Sequence, residues 1–588
     1  MLIQRIVNTL VVVGVVFMAI SATTALAFER PFGLDSRADL DPYLPIDDLK
    51  YEYAADLIPV WKLALEHDEP ELQRRTAEVV FAVARQGMKG LEVLTPSLRK
   101  LMEGPVVDRK VHLAALRALT AIGDKQSASR LYDLSGQLGC DAAEVLEPAL
   151  AQWKYEAIYP AWRARLEDES LERRYRVFAI RGLTVVRDEQ SAAAVIRLAT
   201  NSATSSVLRI EAARAAAQLQ TSGSETVVEE MLQDEPSLVD RLAAAALLLL
   251  HDGDRTTDIL LRLALDASPA VQRIAIEELQ KIAPAQLLTL QSQLFDSHDA
   301  KIRELAVLSL HPYPTSEHAA ILSPMLNDHH PEVRNAARRT LVSFFASSDE
   351  MRVAVIKAAV EQLNGDSWRG LQQAARLVGQ IDHEPSASRC VELLVFDRRE
   401  VHTTAAWALR KLQVKKSLAT AFEYASNRTQ EIRSGRVDPQ LYTEQLSQLF
   451  QLFGILRYQE SVPLLRLYVP KNSATEDPRV GAIWALGYIY QDAAPNDLVR
   501  ELTGRLNDTN PMAPEADSVR AASAVSLGRM KAQTSLPSLR EFYGLESTMY
   551  PVGYACGWAI EQLTGEAIVI THLPPQQRMS FFLTTYRD

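Results

Sequence analysis

The sequence predicts an all-α fold, an α-solenoid made of stacked helical hairpins. Two observations carry that prediction: a segment that recurs about every 31 residues, and an apolar stripe of helical period inside each copy. Composition agrees, since 47% of the 588 residues are apolar and only 24 are Gly. Ala and Leu are plentiful, which favours helix.

The recurring segment is clearest in three neighbours. "DASPAVQRIAIEEL" (Asp266 to Leu279), "SHDAKIRELAVLSL" (Ser297 to Leu310) and "DHHPEVRNAARRTL" (Asp328 to Leu341) are each 14 residues long and begin 31 residues apart. Each holds an aliphatic residue, then usually Arg, then small residues three and six positions on, then Leu. With the Arg position as zero, copies run from Gln73 through His112, Ala143, Arg176, Arg209, Asp240, Gln272, Arg303, Arg334, Gly370, His402, Arg479 and Arg520 to Gly553. A further copy falls near Gln445, inside the long step from His402 to Arg479. Positions −1, +3, +6, +7 and +10 share one helix face. A second apolar helix precedes each turn, for example "TDILLRLAL" (Thr257 to Leu265). Each copy is thus a helical hairpin that buries its apolar face only by stacking on the next.

The register also settles a stretch that looks like chemistry. His329 and His330 stand among Asn327, Asp328 and Glu332, as if around a metal ion. His330, however, aligns with Ser268 and Asp299 at the helix N-cap, and Pro331 with Pro269 at the first helical position. The pair is a turn between helices. No metal or cofactor is expected, and Cys140, Cys390 and Cys556 are too scattered for a zinc site or a disulfide framework.

Outside the repeats the chain divides as follows. Residues 1–27 have a positive start, an apolar run and small residues at Ala25 and Ala27, which predicts a signal peptide and an exported, periplasmic or extracytoplasmic protein. The same run is just long enough to serve as an uncleaved membrane anchor. Residues 28–50 are Pro- and Asp-rich and predict an extended lead-in. Regular repeats cover 51–413 and 478–565, with an irregular repeat of longer helices at 414–477 and a capping tail at 566–588. A formal charge of −11 argues against a nucleic-acid partner. No phosphate-binding loop, nucleophile elbow or metalloprotease helix is present, which leaves an enzyme without residues to carry it.

Copies such as "DHHPEVRNAARRTL", "EDPRVGAIWALGYI" and "ADSVRAASAVSLGRM" resemble HEAT repeats, particularly the short bacterial kind named after phycobilisome lyases. The resemblance covers nearly the whole chain after residue 50 and implies an exported bacterial HEAT-repeat protein. It also implies a structural ladder in which Arg176, Arg209, Arg303 and Arg334 bond turns of neighbouring repeats. Gln73, Asp240 and Gln272 depart from that pattern and should interrupt it.

A binding surface is sought opposite the buried stripe, at position +5. There the N-terminal copies carry Arg117, Arg181, Arg214 and Arg339, and the C-terminal ones Trp407, Trp484 and Trp558. Arg and Trp are the residues most often energetic at interfaces. Two readings of the tryptophans stay open: they line a groove, or they wedge between adjacent helices. The function expected is a scaffold that presents this groove to protein partners. The alternatives are a lyase-like subunit of an envelope enzyme and a cell-wall polysaccharide binder.

Overall fold

The computed structural model describes residues 33–44, 51–53, 55–103, 106, 108–471, 475–544, 551–566, 576–578 and 583. The predicted signal peptide lies outside them. The chain is an all-α, HEAT-repeat α-solenoid of stacked helical hairpins. It forms two compact units, one of Asp48–Tyr313 with Leu573–Asp588 and one of Pro314–His572 with Met1–Asp47.

One hairpin shows why these residues fold this way. Its first helix, Ser316–Met325, is capped by the Thr315 hydroxyl, which accepts from the His318 amide. The second, Pro331–Phe345, has Pro at its first turn, and the His330 ring accepts from the Glu332 amide. The two histidines therefore supply a turn and a cap. Val333, Ala337, Thr340, Leu341 and Phe344 are all buried, while Arg339 is exposed. Among the described residues no group of three or more His, Cys, Asp and Glu could hold a metal ion. Cys140, Cys390 and Cys556 are free thiols.

The arginines at position zero form two kinds of rung: Arg209 bonds between neighbouring repeats as the resemblance implies, while others bond within their own hairpin. Arg334 Nη1 donates to the Asp328 carbonyl at 2.8 Å, and Arg176 Nη2 to the Leu166 carbonyl at 3.0 Å. The rung thus closes a hairpin, satisfying carbonyls left open at the end of its first helix. Gln73 makes the same bond, to the His67 carbonyl at 2.5 Å. Asp240 does not interrupt the ladder either: its carboxylate accepts from Arg209 of the preceding repeat at 2.5 Å. A carboxylate cannot donate to a carbonyl, so at Asp240 a bond between repeats stands in place of the one that closes a hairpin.

In the unit beginning at Pro314 the second helices stack in order: Trp368–Gln380, Arg399–Leu412, Thr443–Ile455, Glu476–Ile489, Asp517–Arg529 and Pro551–Thr564. Thr443–Ile455 belongs to the irregular stretch and follows the long helix Leu418–Arg433, with Gly435 in the left-handed region of the connecting turn (φ 72°). Glu515 bridges into the Glu476–Ile489 helix, where Arg479 grips both its oxygens at 2.7 and 2.8 Å. In the other unit two short strands, β1 (Tyr51–Tyr53) and β2 (Gln576–Arg578), pair in parallel.

Two outcomes test this packing by chemical denaturation and hydrogen exchange. Ala337→Glu places an unpaired carboxylate in a closed contact and should destabilise its repeat by several kcal/mol in order of magnitude, whereas Arg339→Glu should stay within about 0.5 kcal/mol. Glu515→Ala, which strands the buried Arg479 guanidinium, should cost about 3–5 kcal/mol.

Candidate functional site

The three position +5 tryptophans sit over glycines of the preceding second helix. A Cβ at Gly379 would stand 2.7 Å from Trp407 Cζ3, and one at Gly454 or Gly528 would stand 3.2 Å from the matching atom of Trp484 or Trp558. The glycines let neighbouring helices close until each indole lies against its neighbour's backbone. The benzo edge wedges between helices, while the indole N–H of Trp407 and Trp484 points outward to a ligand.

That ligand is the chain's own segment 33–41, "GLDSRADLD", which crosses five successive second helices. The Gly33 carbonyl accepts from Arg376 Nη2 at 2.7 Å. At Asp35, one carboxylate oxygen accepts from Trp407 Nε1 at 2.7 Å and the other from Arg410 Nη2 at 2.9 Å. Its carbonyl accepts from Arg410 and from Gln448 Nε2 at 2.9 and 3.0 Å. Gln451 Oε1 accepts the Arg37 amide at 2.7 Å and the Ala38 amide at 3.3 Å, and its amide nitrogen donates to the Ser36 hydroxyl at 3.1 Å. The Asp41 carbonyl accepts from Trp484 Nε1 and from Arg529 Nη2, both at 2.7 Å, and its carboxylate takes the Tyr488 hydroxyl and lies 3.1 Å from Arg529. Leu34 and Ser36 are buried beneath this lattice.

The grip is electrostatic as well as geometric. Burial raises the Asp35 carboxyl, but Arg410, the Trp407 N–H and Lys411 outweigh it, so the group is held below the ordinary Asp value. Burial lowers the Arg376 guanidinium, and Asp35 partly restores it. Arg338, buried beside Arg376 and Arg339, is pushed down to about 10. Arg529 also lies 4.2 Å from the Tyr488 ring centroid and 5.6 Å from that of Trp558, completing a cationic and aromatic floor under Asp41.

The sequence-selected residues fall into separate places. Trp407 and Trp484 are buried at 3% and 1% exposure, and Trp558 is half-buried. In the same unit Arg339 is exposed. In the other unit Arg181 and Arg214 line one cleft of about 700 Å³ with Phe178 and Gln218, where Arg181 is paired with Glu211 at 2.5 Å. Arg117 lines a different cleft, of about 370 Å³, with Glu71, Arg74 and Lys110.

Sequence reasoning missed Asp35, Asp41, Arg410, Gln448, Gln451, Tyr488 and Arg529. One signal was available. In Thr443–Ile455 every residue but the last is buried, and Gln445, Gln448 and Gln451 recur at helical spacing. Buried amides require partners. Gln445 finds its own in the Leu394 carbonyl and Tyr424; Gln448 and Gln451 take much of theirs from the lead-in segment.

The family model for HEAT repeats matches residues 254–342. No curated protein matches the chain in sequence. Among solved structures, importin-β in an ammonium sulfate condition matches with a TM-score of 0.50 at 13% identity, covering 86% of this chain and 72% of that one. Yeast importin-β (Kap95p) matches at 0.48 and 13%, covering 86% and 70%. What these share with the chain is the fold.

These findings correct several expectations. The phycobilisome-lyase-type resemblance gives way to a general HEAT match and an importin-β fold, and the exported or periplasmic location it implied is withdrawn with it; the signal peptide was read from residues 1–27, which lie outside the described residues. Small residues at helix contacts report close packing, which every HEAT solenoid needs whatever its compartment. The expected N-terminal membrane anchor falls on residues 6–27, outside the described residues; among the described residues no helix is long and apolar enough to cross a membrane.

The segment should leave its site in acid. Because Asp35 is held below the ordinary value of about 3.9, its contribution is complete above a pH of about 4 and is lost as the pH falls through the lowered folded value. Exchange of the Arg37 and Ala38 amides, followed by mass spectrometry with correction for intrinsic rates, should accelerate over that range. Trp407→Phe, which keeps a ring but removes one donor, should loosen the segment by about 1 kcal/mol at neutral pH.

Proposed function

We propose that the chain is a non-catalytic HEAT-repeat scaffold that binds segments of other proteins along its second helices. Trp407, Trp484 and Trp558, with Arg410 and Arg529, form the main surface, flanked in the same unit by Arg339. In the other unit the clefts at Arg181 and Arg214, and at Arg117, offer further contacts.

The observation that carries this reading is the seated segment itself. A polypeptide segment with one helical turn, Arg37–Leu40, is held there through its main chain by side chains from five helices, so the surface has the chemistry of a peptide site. Main-chain bonds supply affinity with little regard to sequence, and the two Asp pockets supply selection, a division used by other grooves that take extended peptides. A polysaccharide site would instead need open ring faces, and Trp407 and Trp484 offer none.

A capture experiment tests the reading. Immobilised full-length chain and an Arg410→Glu, Arg529→Glu variant, checked for equal helicity, are exposed to the same protein mixture. Proteins specific to this surface should be retained at least about tenfold less by the variant, a loss of about 1.4 kcal/mol or more. Equal retention of every bound protein would remove the surface from consideration.

A further inference from the structure

We propose that segment 33–41 is a built-in competitor, and that the groove's partner is an acidic peptide with two carboxylates six residues apart, separated by one helical turn. This rests on the scaffold reading above and names the ligand class of the same groove. The spacing is that of Asp35 and Asp41. Each carboxylate sits in a pocket made by one indole-bearing helix and one buried arginine: Trp407 with Arg410, and Tyr488 on the Trp484 helix with Arg529.

Three features favour a ligand site over a simple strap. First, the bonds between the two pockets go mainly to main-chain atoms, at Asp35, Arg37, Ala38 and Asp41, with the Arg37 and Ala38 amides being the free N–H groups at the start of the turn; any peptide that takes this turn possesses them. Second, charge is matched in excess. Arg376, Arg410, Lys411 and Arg529 face two carboxylates, in a protein whose formal charge is −11. A cationic strip on an acidic protein attracts acidic segments and repels basic ones. Third, the seated stretch forms only one short helical turn, Arg37–Leu40, and side chains outside it carry the contacts at both ends. A strap evolved for stability alone would be expected to bury larger apolar side chains, yet Leu40 and Tyr43 are 50% and 80% exposed.

An occupant carried on the same chain competes as an intramolecular ligand, independent of protein concentration. It therefore lowers the apparent affinity for a partner by the fraction of time the groove stands open. A protein with a weaker acidic segment is excluded, and one with a better-matched segment displaces it.

The probe is a fluorescent synthetic peptide of sequence GLDSRADLDPY, with an Asp-to-Lys version and a set of neutral and basic extended peptides as comparators. The proteins are the full chain, a groove-opened variant (Asp35→Asn, Asp41→Asn), and that variant with Arg410→Glu added. Fluorescence anisotropy should show the acidic peptide binding the opened variant at least about tenfold more tightly than the native chain, with binding lost on Arg410→Glu and absent for the Asp-to-Lys peptide. In the native chain, excess acidic peptide should also speed exchange of the Arg37 and Ala38 amides, a readout that requires no variant to fold. If the opened variant binds neutral or basic peptides but not the acidic one, the acidic specificity is wrong and the groove reading survives. If no peptide binds it, and none speeds exchange in the native chain, both fall and the segment is a structural strap.

Discussion

A two-helix hairpin has more apolar surface than it can cover by itself, and this one shortage governs the molecule. Each repeat must lend its stripe to the next, so the contact positions must be small enough for helices to approach, as at Ala337, Ala306 and Ala275, all fully buried. Close approach leaves helix ends crowded together, and the position-zero arginines then serve to satisfy carbonyls that water reaches poorly. Once stacking and end-capping are met, the face opposite the stripe is less fully committed to packing, although Trp407, Trp484 and Trp558 still pack there over glycines. That freedom lets one row of second helices carry buried polar groups aimed at a ligand.

Those polar groups impose a second constraint. Arg410, Gln448, Gln451 and Arg529 are buried side chains on helices whose remaining positions are largely apolar. Polar atoms in such surroundings cost free energy unless they are paired. Segment 33–41 supplies partners almost atom for atom, and in doing so it orders a stretch that has little apolar surface of its own. The glycines at 379, 454 and 528 matter here too. By drawing neighbouring helices together they set the spacing between successive pockets, so packing and recognition share the same residues.

Much of the fold was legible because it rests on a period. The copies around Asp266, Ser297 and Asp328 announce hairpins, caps and the buried face, and His329 and His330 lose their metal-like aspect as soon as they are aligned with Ser268 and Asp299. The candidate site was legible only in outline. Position +5 singled out Trp407, Trp484 and Trp558, but the residues that grip are Arg410 and Arg529, offset along their helices by three and four positions from the tryptophan register. The ladder was misjudged at Asp240 because a local pattern shows a departure from Arg without showing the Arg209 guanidinium that meets it. Compartment was drawn from residues 1–27 and from the lyase-type resemblance, and the general HEAT match that replaces that resemblance carries no address, because packing is the same on either side of a membrane.

By itself the sequence determined the solenoid, because hydrophobic periodicity is a local property that survives without knowledge of neighbours. The cap residues, the turns and the order of repeats follow from it. Only the tertiary structure decided which surface is occupied and by what. Asp35 meets Arg410 across 375 residues and Asp41 meets Arg529 across 488, distances over which no pattern in the chain links donor to acceptor. Such contacts arise when stacked helices bring their polar rows into line, and the position of each row depends on every hairpin packed before it.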